Sequence, residues 1–540
     1  MKRVIALLAL GAILFPSVVL AARSNPLLDL AELHMRHRDF DSAFGYYEKA
    51  IKRDDQNIHA HIGLQEAARL AGKDVMDRYQ ERWQDDPSNA DSAFLFARLL
   101  RADKALKCLD EVVATTFYVH LARAKAHASL DDGKETAEIS LAEARLPRDD
   151  PRAVGLLAGF YEDRKKYVRS ISLFTLALEL ATDRVEAMVG QGNVLRLMGD
   201  AEESIKVLTK AYELDQEDPE IPYRIGLANL DLGEAELAIK QFEQTLLMDK
   251  DDVDAMLGLG DAYLMQEKPE DAEPQFRDAT QLAKRRTDAW RRLGHSRELQ
   301  GKNDEALEAF KEIARIDPLN AACHVSIGWI YTKKGKYDEA MKEFRQAVDM
   351  DKDEPTALFM VGYVYDLQGR WSEAVKTYAK VVKVDKEYAR AYNNMGLDED
   401  LLGKTSRALR ALKKAVDLDP DNPEFLLNLG NAYFHSKKYK EGAKVFADAI
   451  DVDSEVAQAW TGLARCQKAN REYRKAAESY EAAIQLEDDQ PDLHLIVGII
   501  YHENLKNYQS ALEHYEAYVT LGGADPVVEK WMEECREKIK

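Results

Sequence analysis

The amino-acid sequence predicts an all-α chain in which pairs of helices stack on one another as a solenoid. Small residues recur every 34 positions along most of the chain, and two such series run in parallel. A fixed period of roughly 20 to 50 residues is the signature of a repeat architecture. The composition agrees, because the 540 residues are 46% hydrophobic and 32% charged with few glycines and prolines, which is typical of a folded, soluble protein.

The first series consists of glycines. Ala158 precedes them in phase, Ala464 follows, and Gly498 resumes the series. A glycine inside a helix costs about 1 kcal/mol relative to alanine, so the repetition indicates that a neighbouring helix comes very close at this position. The eight consecutive members are Gly192, Gly226, Gly260, Gly294, Gly328, Gly362, Gly396 and Gly430.

A second series of small residues, from Ser170 to Ala476, lies twelve positions later in each unit, and we expect it to be the surface that the glycines approach. Larger residues, from Phe174 to Tyr480, follow four positions further on, which places them on the same helical stripe. Between the two series lie glycines at the place where the first helix must end with a positive φ. These are Gly199, Gly233, Gly301, Gly335, Gly369 and Gly403.

Each unit is thus a helix, a glycine turn, a second helix and a short acidic loop. This pattern resembles the tetratricopeptide repeat (TPR) family, whose signature is W-x2-L-G-x2-Y, then A-x3-F-x2-A, then P. The resemblance implies a right-handed α–α superhelix of about 13 to 15 helix pairs. The unit that begins at Thr287 shows the signature at Trp290, Leu293, Gly294, Ala306, Phe310 and Pro318.

The repeat spacing predicts the organisation of the chain. We expect a regular array over residues 151–525, degenerate TPR-like helix pairs over 22–150, and a C-terminal capping helix over 526–540. The spacing leaves the repeat boundaries between residues 56 and 118 open, and no segment remains for a separate catalytic domain. The regular units start at residues 151, 185, 219, 253, 287, 321, 355, 389, 423, 457 and 491.

The first residues have the pattern of a secretion signal. Lys2 and Arg3 precede an apolar run over residues 4–15, and small residues follow it. We expect a signal peptide over residues 1–21 that is cleaved after Ala21 or Ala22, and a mature protein that is periplasmic or secreted. A retained anchor is disfavoured because the run is shorter than the ~20 residues needed to span a bilayer. No later segment is apolar enough to span a membrane.

Charge and motifs exclude several classes of function. The net charge is −21 and no basic block offsets it, which disfavours a nucleic-acid partner because phosphates need a basic face. His34 with His37, and His59 with His61, lack a third ligand at metal spacing, so we expect surface histidines. The four cysteines are too far apart in the array to pair. We therefore predict neither an enzyme nor a cofactor nor a metal site.

The resemblance implies that the first helix of each pair lines a concave groove. Its inward positions carry basic residues, then aromatic residues, then asparagines, and exposed patches of this kind usually mark contacts with other proteins or peptides. The alternative, that Trp329 and Phe359 pack against neighbouring helices, stays open. The candidate groove residues are Tyr223, Arg224, Arg291, Arg292, His295, Trp329, Phe359, Met360, Tyr363, Asn394 and Asn428, together with Asn393 and Asn431.

These observations favour a non-catalytic protein–protein interaction scaffold of the bacterial cell envelope. The resemblance extends to TPR proteins that assemble pilus, secretion, polysaccharide-export or motility complexes, and the sequence does not choose among them. A periplasmic, chaperone-like receptor that binds extended peptide segments in the groove is the alternative. The sequence does not predict the oligomeric state.

Overall fold

In the computed structural model of the chain, the described residues are 26–540 except 37, 88, 111, 113–115, 132 and 353. They contain 31 α-helices and no β-strand, so the predicted all-α repeat fold is confirmed. The expected signal peptide, its cleavage after Ala21 or Ala22, and His37 lie outside the described residues. The described residues divide into two compact units, one that ends at Gln300 and one that begins at Gly301.

In the described part of the first unit, α1 to α16 pair in chain order, and α17 is the last helix of the unit. The helices are α1 (Pro26–Arg36), α2 (Phe40–Arg53), α3 (Ile58–Leu70), α4 (Met76–Asp85), α5 (Ala90–Ala97), α6 (Ala102–Asp110), α7 (Phe117–Leu130), α8 (Glu135–Ala144), α9 (Pro151–Asp163), α10 (Tyr167–Leu180), α11 (Val185–Leu197), α12 (Ala201–Leu214), α13 (Glu220–Asp231), α14 (Ala235–Met248), α15 (Val253–Met265), α16 (Pro269–Leu282) and α17 (Thr287–Leu299).

The second unit begins with the single helix α18, continues with six helix pairs and ends with the single helix α31. Its helices are α18 (Asn303–Ile316), α19 (Ala321–Lys333), α20 (Tyr337–Met350), α21 (Pro355–Leu367), α22 (Trp371–Val384), α23 (Ala389–Leu401), α24 (Thr405–Leu418), α25 (Pro423–His435), α26 (Tyr439–Val452), α27 (Ala457–Ala469), α28 (Tyr473–Leu486), α29 (Pro491–Ile499), α30 (Tyr508–Thr520) and α31 (Pro526–Ile539). A π-helical turn, Ile500–Leu505, extends α29.

Local sequence explains where these helices begin and end. Several first helices start with proline at the first position, as at Pro151, where the missing N–H costs nothing. Asp or Asn side chains cap many of the starts, and Asp252 accepts a hydrogen bond from the Ala255 amide at 2.9 Å. First helices end in a turn with positive φ, which is +69° at Gly335. Lys437 takes the same conformation at φ +62° where the repeat lacks the glycine.

The recurrent helix glycines make room for an aromatic or leucine side chain. A Cβ at Gly226 would lie 2.7 Å from Phe242 Cε1, and one at Gly258 would lie 2.6 Å from the same atom. Phe242 is fully buried, so its ring is held between the first helices of two successive repeats. The glycine positions approach the small residues of the second helix as expected, since a Cβ at Gly442 would lie 3.4 Å from the Gly430 carbonyl oxygen and Ser170 Oγ donates to the Ala158 carbonyl oxygen at 2.9 Å. The side chain nearest to the glycine is the large residue four positions further on.

The first unit also contains polar contacts between helices far apart in sequence. Arg152 Nε on α9 donates to Glu32 Oε1 on α1 at 2.9 Å. His59 Nε2 on α3 lies 2.8 Å from Asp150 Oδ2, and Asp150 caps α9. Arg38 Nη2 donates to Asp252 Oδ2 at 2.9 Å, although 214 residues separate the two. These contacts bring the N-terminal pairs against later repeats of the same unit.

One expectation about the histidines is wrong. His61 is 1% exposed, and its ring nitrogens lie 3.1 Å from Tyr79 Oη and 3.0 Å from the Asp55 carbonyl oxygen. Burial lowers the pKa of His61, so it is a core residue rather than a surface histidine. Among the described residues no group of three or more His, Cys, Asp or Glu side chains could hold a metal ion. None of the described helices is both long and apolar enough to cross a membrane.

Candidate functional site

An aromatic cluster lies on the first helices of two successive repeats in the second unit. Trp329 is on α19, and Phe359 and Tyr363 are on α21, one helical turn apart. The Trp329 and Tyr363 ring centroids are 6.3 Å apart, and Phe359 stacks on Tyr363 at 6.4 Å with 7° between the planes. All three side chains are half-buried. The sequence-predicted aromatic residues are thus brought together, with part of each ring accessible.

The other side of this cluster belongs to the core. Phe359 lies 5.4 Å from the Tyr378 ring and stacks on Tyr388 at 5.3 Å. Trp329 and Met360 pack against the buried cluster around Phe344. Both alternatives for these side chains therefore apply in part, because each ring packs on the repeat core and also reaches the surface. Tyr378 and Tyr388 were not among the candidate groove residues.

A chain of amides continues from the aromatic cluster into the next two repeats. Asn394 Nδ2 on α23 donates to Tyr378 Oη at 3.3 Å, and Asn393 Nδ2 donates to Asn394 Oδ1 at 3.2 Å. Asn428 Nδ2 on α25 donates to Asn393 Oδ1 at 3.0 Å. Asn394 and Asn428 remain half-buried, whereas Asn393 is 1% exposed. Six candidate residues of the second unit are therefore linked by side-chain contacts, which run in part through the buried Tyr378 and Asn393. They are Trp329, Phe359, Met360, Tyr363, Asn394 and Asn428.

Two carboxyl groups lie behind this surface on the same helices. Asp398 on α23 is 1% exposed, its Oδ2 is buried without a hydrogen-bond partner among the described residues, and the Asp366 carboxyl group on α21 is its charged neighbour. Burial, together with the neighbouring Asp366 carboxylate, raises the pKa of Asp398 well above that of an ordinary carboxyl group. The environment of Asp398 therefore favours its protonated form.

The candidate residues of the first unit have partners of their own. Arg224 Nε donates to Glu220 Oε1 at 2.6 Å, and its Nη1 donates to Asn193 Oδ1 at 2.9 Å. The Arg224 guanidinium also lies over the Tyr223 ring at 5.6 Å. Tyr223 in turn lies 6.0 Å from Phe242. Tyr223 and Arg224 are therefore half-buried links between repeats rather than free groove groups.

Arg292 is ion-paired, whereas its neighbours on α17 are exposed. Arg292 Nε lies 2.9 Å from both Asp261 carboxylate oxygens, and its Nη1 lies 3.2 Å from Asp288 Oδ2. Arg291 and His295 are exposed, and His295 Nδ1 is 3.9 Å from Glu298 Oε2. The basic candidates belong to the first unit and the aromatic candidates of the predicted patch to the second. Of the basic residues, Arg291 is the one that presents an exposed guanidinium.

Models of the tetratricopeptide repeat match most of the regular array. Matches described as "Tetratricopeptide repeat" cover residues 185–218, 223–283, 266–321, 401–466 and 461–526. Matches described as "TPR repeat" cover residues 328–369 and 362–397. The chain belongs to the tetratricopeptide repeat family. TPR proteins are generally non-catalytic scaffolds that bind other proteins or peptides, and none of these matches indicates an enzyme.

Several solved structures resemble this TPR protein. The crystal structure of MamA is 28% identical, with 30% of this chain and 94% of that chain covered at a TM-score of 0.29. YrrB, "a TPR protein with an unusual peptide-binding site", is 26% identical, with 34% and 95% covered at a TM-score of 0.30. The Cut9–Hcn1 structure is 15% identical, with 95% and 96% covered at a TM-score of 0.38. No curated protein sequence matches the chain.

Proposed function

We propose that this TPR protein is a non-catalytic scaffold of the bacterial cell envelope, where it helps to assemble a pilus, secretion, polysaccharide-export or motility complex. In this proposal the surface formed by Trp329, Phe359 and Tyr363, with Asn394 and Asn428, binds an extended segment of a partner protein. The observation that carries the proposal is the half-exposed aromatic cluster continued by amides across successive repeats. It supports a binding function because aromatic anchors contribute most of the energy at such interfaces.

The two parts of this surface suit different parts of a peptide. An extended chain advances about 3.3 Å per residue and presents its backbone N–H and C=O groups at regular intervals. The side-chain amides of Asn394 and Asn428 can donate to those carbonyls and accept from those N–H groups. An apolar side chain of the peptide would rest on Trp329 and Phe359 and remove their exposed edges from water.

A comparison of captured partners tests this binding function. The wild-type chain and the Trp329→Ala variant would be used to capture proteins from the native envelope, with identification by mass spectrometry. Leu319→Ala is the matched control, because Leu319 is 80% exposed and lies in the loop before α19. We expect a small, defined set of partners that Trp329→Ala loses and Leu319→Ala keeps. A broad set of unfolded envelope proteins would instead favour the chaperone-like receptor, and identical sets for all three chains would contradict both.

The envelope location rests on the pattern of the first residues, and its test is independent of binding. A fusion of residues 1–30 to a reporter that is active only outside the cytoplasm should be active, because the apolar run after Lys2 and Arg3 is a signal for export. Replacing both basic residues by Glu is the control and should reduce export. The mature protein should begin at Ala22 or Arg23, as determined by N-terminal sequencing. Isolation of the protein with Met1 in place would contradict the location.

A further inference from the structure

A cavity of about 300 Å³ lies in the first unit among α5, α6, α7 and α9. Its origin is the interrupted repeat spacing: α5 has 8 residues and α6 has 9, whereas the regular pairs have 13 and 14. This pair therefore lacks about one turn per helix, and the space beside α7 is not filled. The apolar side chains that line it include Phe94, Leu100, Leu109, Leu121 and Leu156.

Two cations lie where this cavity meets solvent. Arg98 and Lys125 both line the cavity and are both exposed. Arg98 Nε donates to Gln65 Oε1 at 3.0 Å, and the guanidinium lies over the Phe94 ring at 5.8 Å. The Lys125 ammonium group forms neither an ion pair nor a hydrogen bond with any described residue. No carboxylate is among the described residues that line the cavity, although the protein has a net charge of −21.

The electrostatics of this pair favour an anion. Desolvation lowers the pKa of Lys125, and the nearby charge of Arg98 lowers it further, while the Asp163 carboxylate acts in the opposite direction. Desolvation also lowers the pKa of Arg98. The Glu66 carboxylate partly offsets this lowering of the Arg98 pKa. Glu66 Oε1 also forms an ion pair with Arg69 Nη2, at 2.5 Å. A negative charge bound between the two cations would relieve their repulsion and replace the hydration that they have partly lost.

We propose that this cavity binds an apolar chain that ends in a carboxylate, of the size of a medium-chain fatty acid. The carboxylate would lie between Arg98 and Lys125, and the apolar chain would fill the cavity behind them. A volume near 300 Å³ is at the small end of the range for ligand pockets. If each water-sized group occupies roughly 30 Å³, the cavity holds about ten such groups, which is the size of a medium-chain fatty acid.

The wall chemistry favours an acyl chain over the C-terminal end of a peptide. Apart from the two cations and Ser129, the lining consists of Ala, Leu and Phe side chains. Away from Arg98, Lys125 and Ser129, the N–H and C=O groups of a peptide backbone would meet only Ala, Leu and Phe side chains, which offer them no hydrogen bonds. An acyl chain has no such groups. Lys125 and Leu156 also line a neighbouring groove, to which α9 contributes the most residues, Glu162 and Asp163 among them, so the cavity and the groove adjoin at these two side chains.

Calorimetric titration of the full-length protein with decanoate tests the ligand class. Decanol and decyltrimethylammonium have the same chain with a neutral and a cationic head group. We expect saturable binding of decanoate, binding of decanol that is weaker by about tenfold or more, and no binding of the cation. Equal binding of decanol and decanoate would overturn the role of the cations. Absence of decanoate binding, with or without binding of a peptide that ends in leucine carboxylate, would overturn the fatty-acid assignment.

Variants locate the site. Lys125→Ala should weaken decanoate binding by about tenfold or more, whereas Lys107→Ala should bind as the wild type does, because Lys107 is an exposed lysine on α6 that does not line the cavity. Ala122→Leu should place a side chain in the cavity and abolish binding, and thermal unfolding shows whether that variant is folded. Unchanged binding by Lys125→Ala would overturn the proposal, whatever the behaviour of Ala122→Leu.

Discussion

Trp329 and Phe359 combine core packing with partial exposure, and the proposed binding function depends on their exposed part. Each ring contacts the repeat core on one side and reaches the surface on the other. Truncation of Trp329 to alanine should cost about 2 kcal/mol or more of partner binding, because it removes the exposed edge on which an apolar anchor rests. Affinity for a captured partner would be measured by calorimetry and the melting temperature by circular dichroism.

The stability measurement decides between the two roles of Trp329. We expect the helical content to stay close to the wild-type value and the melting temperature to fall only modestly, because the ring also packs on the repeat core, and we expect Leu319→Ala to change neither stability nor binding. If Trp329→Ala instead unfolds the second unit, the ring is a core residue and does not belong to a binding surface.

A second residue, Asp398, makes the stability of the folded chain depend on pH. Burial and Asp366 raise its pKa in the folded chain, whereas in the unfolded chain it titrates near the ordinary carboxyl value of about 4. The folded state therefore binds more protons above that value, and the free energy of unfolding falls as the pH rises towards the folded pKa. Asp398→Asn, which stays neutral, should be more stable than the wild type by about 1–3 kcal/mol at pH 8.

Chemical denaturation at two pH values checks this prediction. The stabilisation by Asp398→Asn should be smaller at pH 5, where the wild-type Asp398 keeps its proton. Asp417→Asn is a suitable control, because Asp417 lies on α24, away from the Asp366–Asp398 pair. An equal effect of Asp398→Asn at pH 5 and pH 8 would show that Asp398 does not titrate with a raised pKa.

At the scale of the element, the contact between a helix glycine and the following helix holds each pair together. A Cβ at Gly328 would lie 2.7 Å from Phe344 Cε1, and Phe344 is fully buried and cannot move aside. Gly328→Leu should therefore overpack the α19–α20 pair and lower the free energy of unfolding by about 1–3 kcal/mol or more. Chemical denaturation followed by circular dichroism measures the change.

A helix glycine without a close neighbour provides the matched control. A Cβ at Gly159 on α9 would have no atom of a neighbouring element within 4 Å, so Gly159→Ala should raise the helix propensity and stabilise by about 0.5–1 kcal/mol. Opposite signs for the two glycine substitutions are expected. A neutral Gly328→Leu would mean that the Phe344 ring does not depend on this glycine.

At the scale of the whole molecule, a repeat array is stabilised by contacts between neighbours. In the second unit, Gly328→Ala and Gly430→Ala lie three repeats apart and contact different rings, Phe344 and Phe446. Their effects on the free energy of unfolding should add within about 0.5 kcal/mol. Gly226→Ala and Gly258→Ala should not add, because both would press on the ring of Phe242.

Double-mutant cycles for the two pairs measure this difference. Each pair is compared with its single variants under the same denaturation conditions. A coupling energy for Gly328 and Gly430 as large as that for Gly226 and Gly258 would show that stability is not local to neighbouring repeats. The same locality allows one part of the chain to carry a binding surface and another part a cavity.

The regular array was predictable because each unit repeats the same local pattern. The 34-residue period of Gly192 to Gly430 predicted where helices pair, and the turn glycines predicted the positive φ that Gly335 and Gly369 adopt. The period alone could not show that the close neighbour of each glycine is the large residue, because spacing along a chain does not reveal which side chain fills a gap. It also could not show that Arg292 is neutralised by Asp261 from the preceding repeat.

By itself the sequence determined the repeat, the all-α class and the helix pairs, since each depends on residues close together in the chain. Only the tertiary structure decided what depends on distant residues. It linked Trp329, Tyr363 and the asparagines by side-chain contacts and buried His61 against Tyr79. It also opened a cavity beside α7 where the repeat is too short to fill the space. The physical reason is that packing and burial depend on neighbours in space, and a period in the sequence does not identify those neighbours.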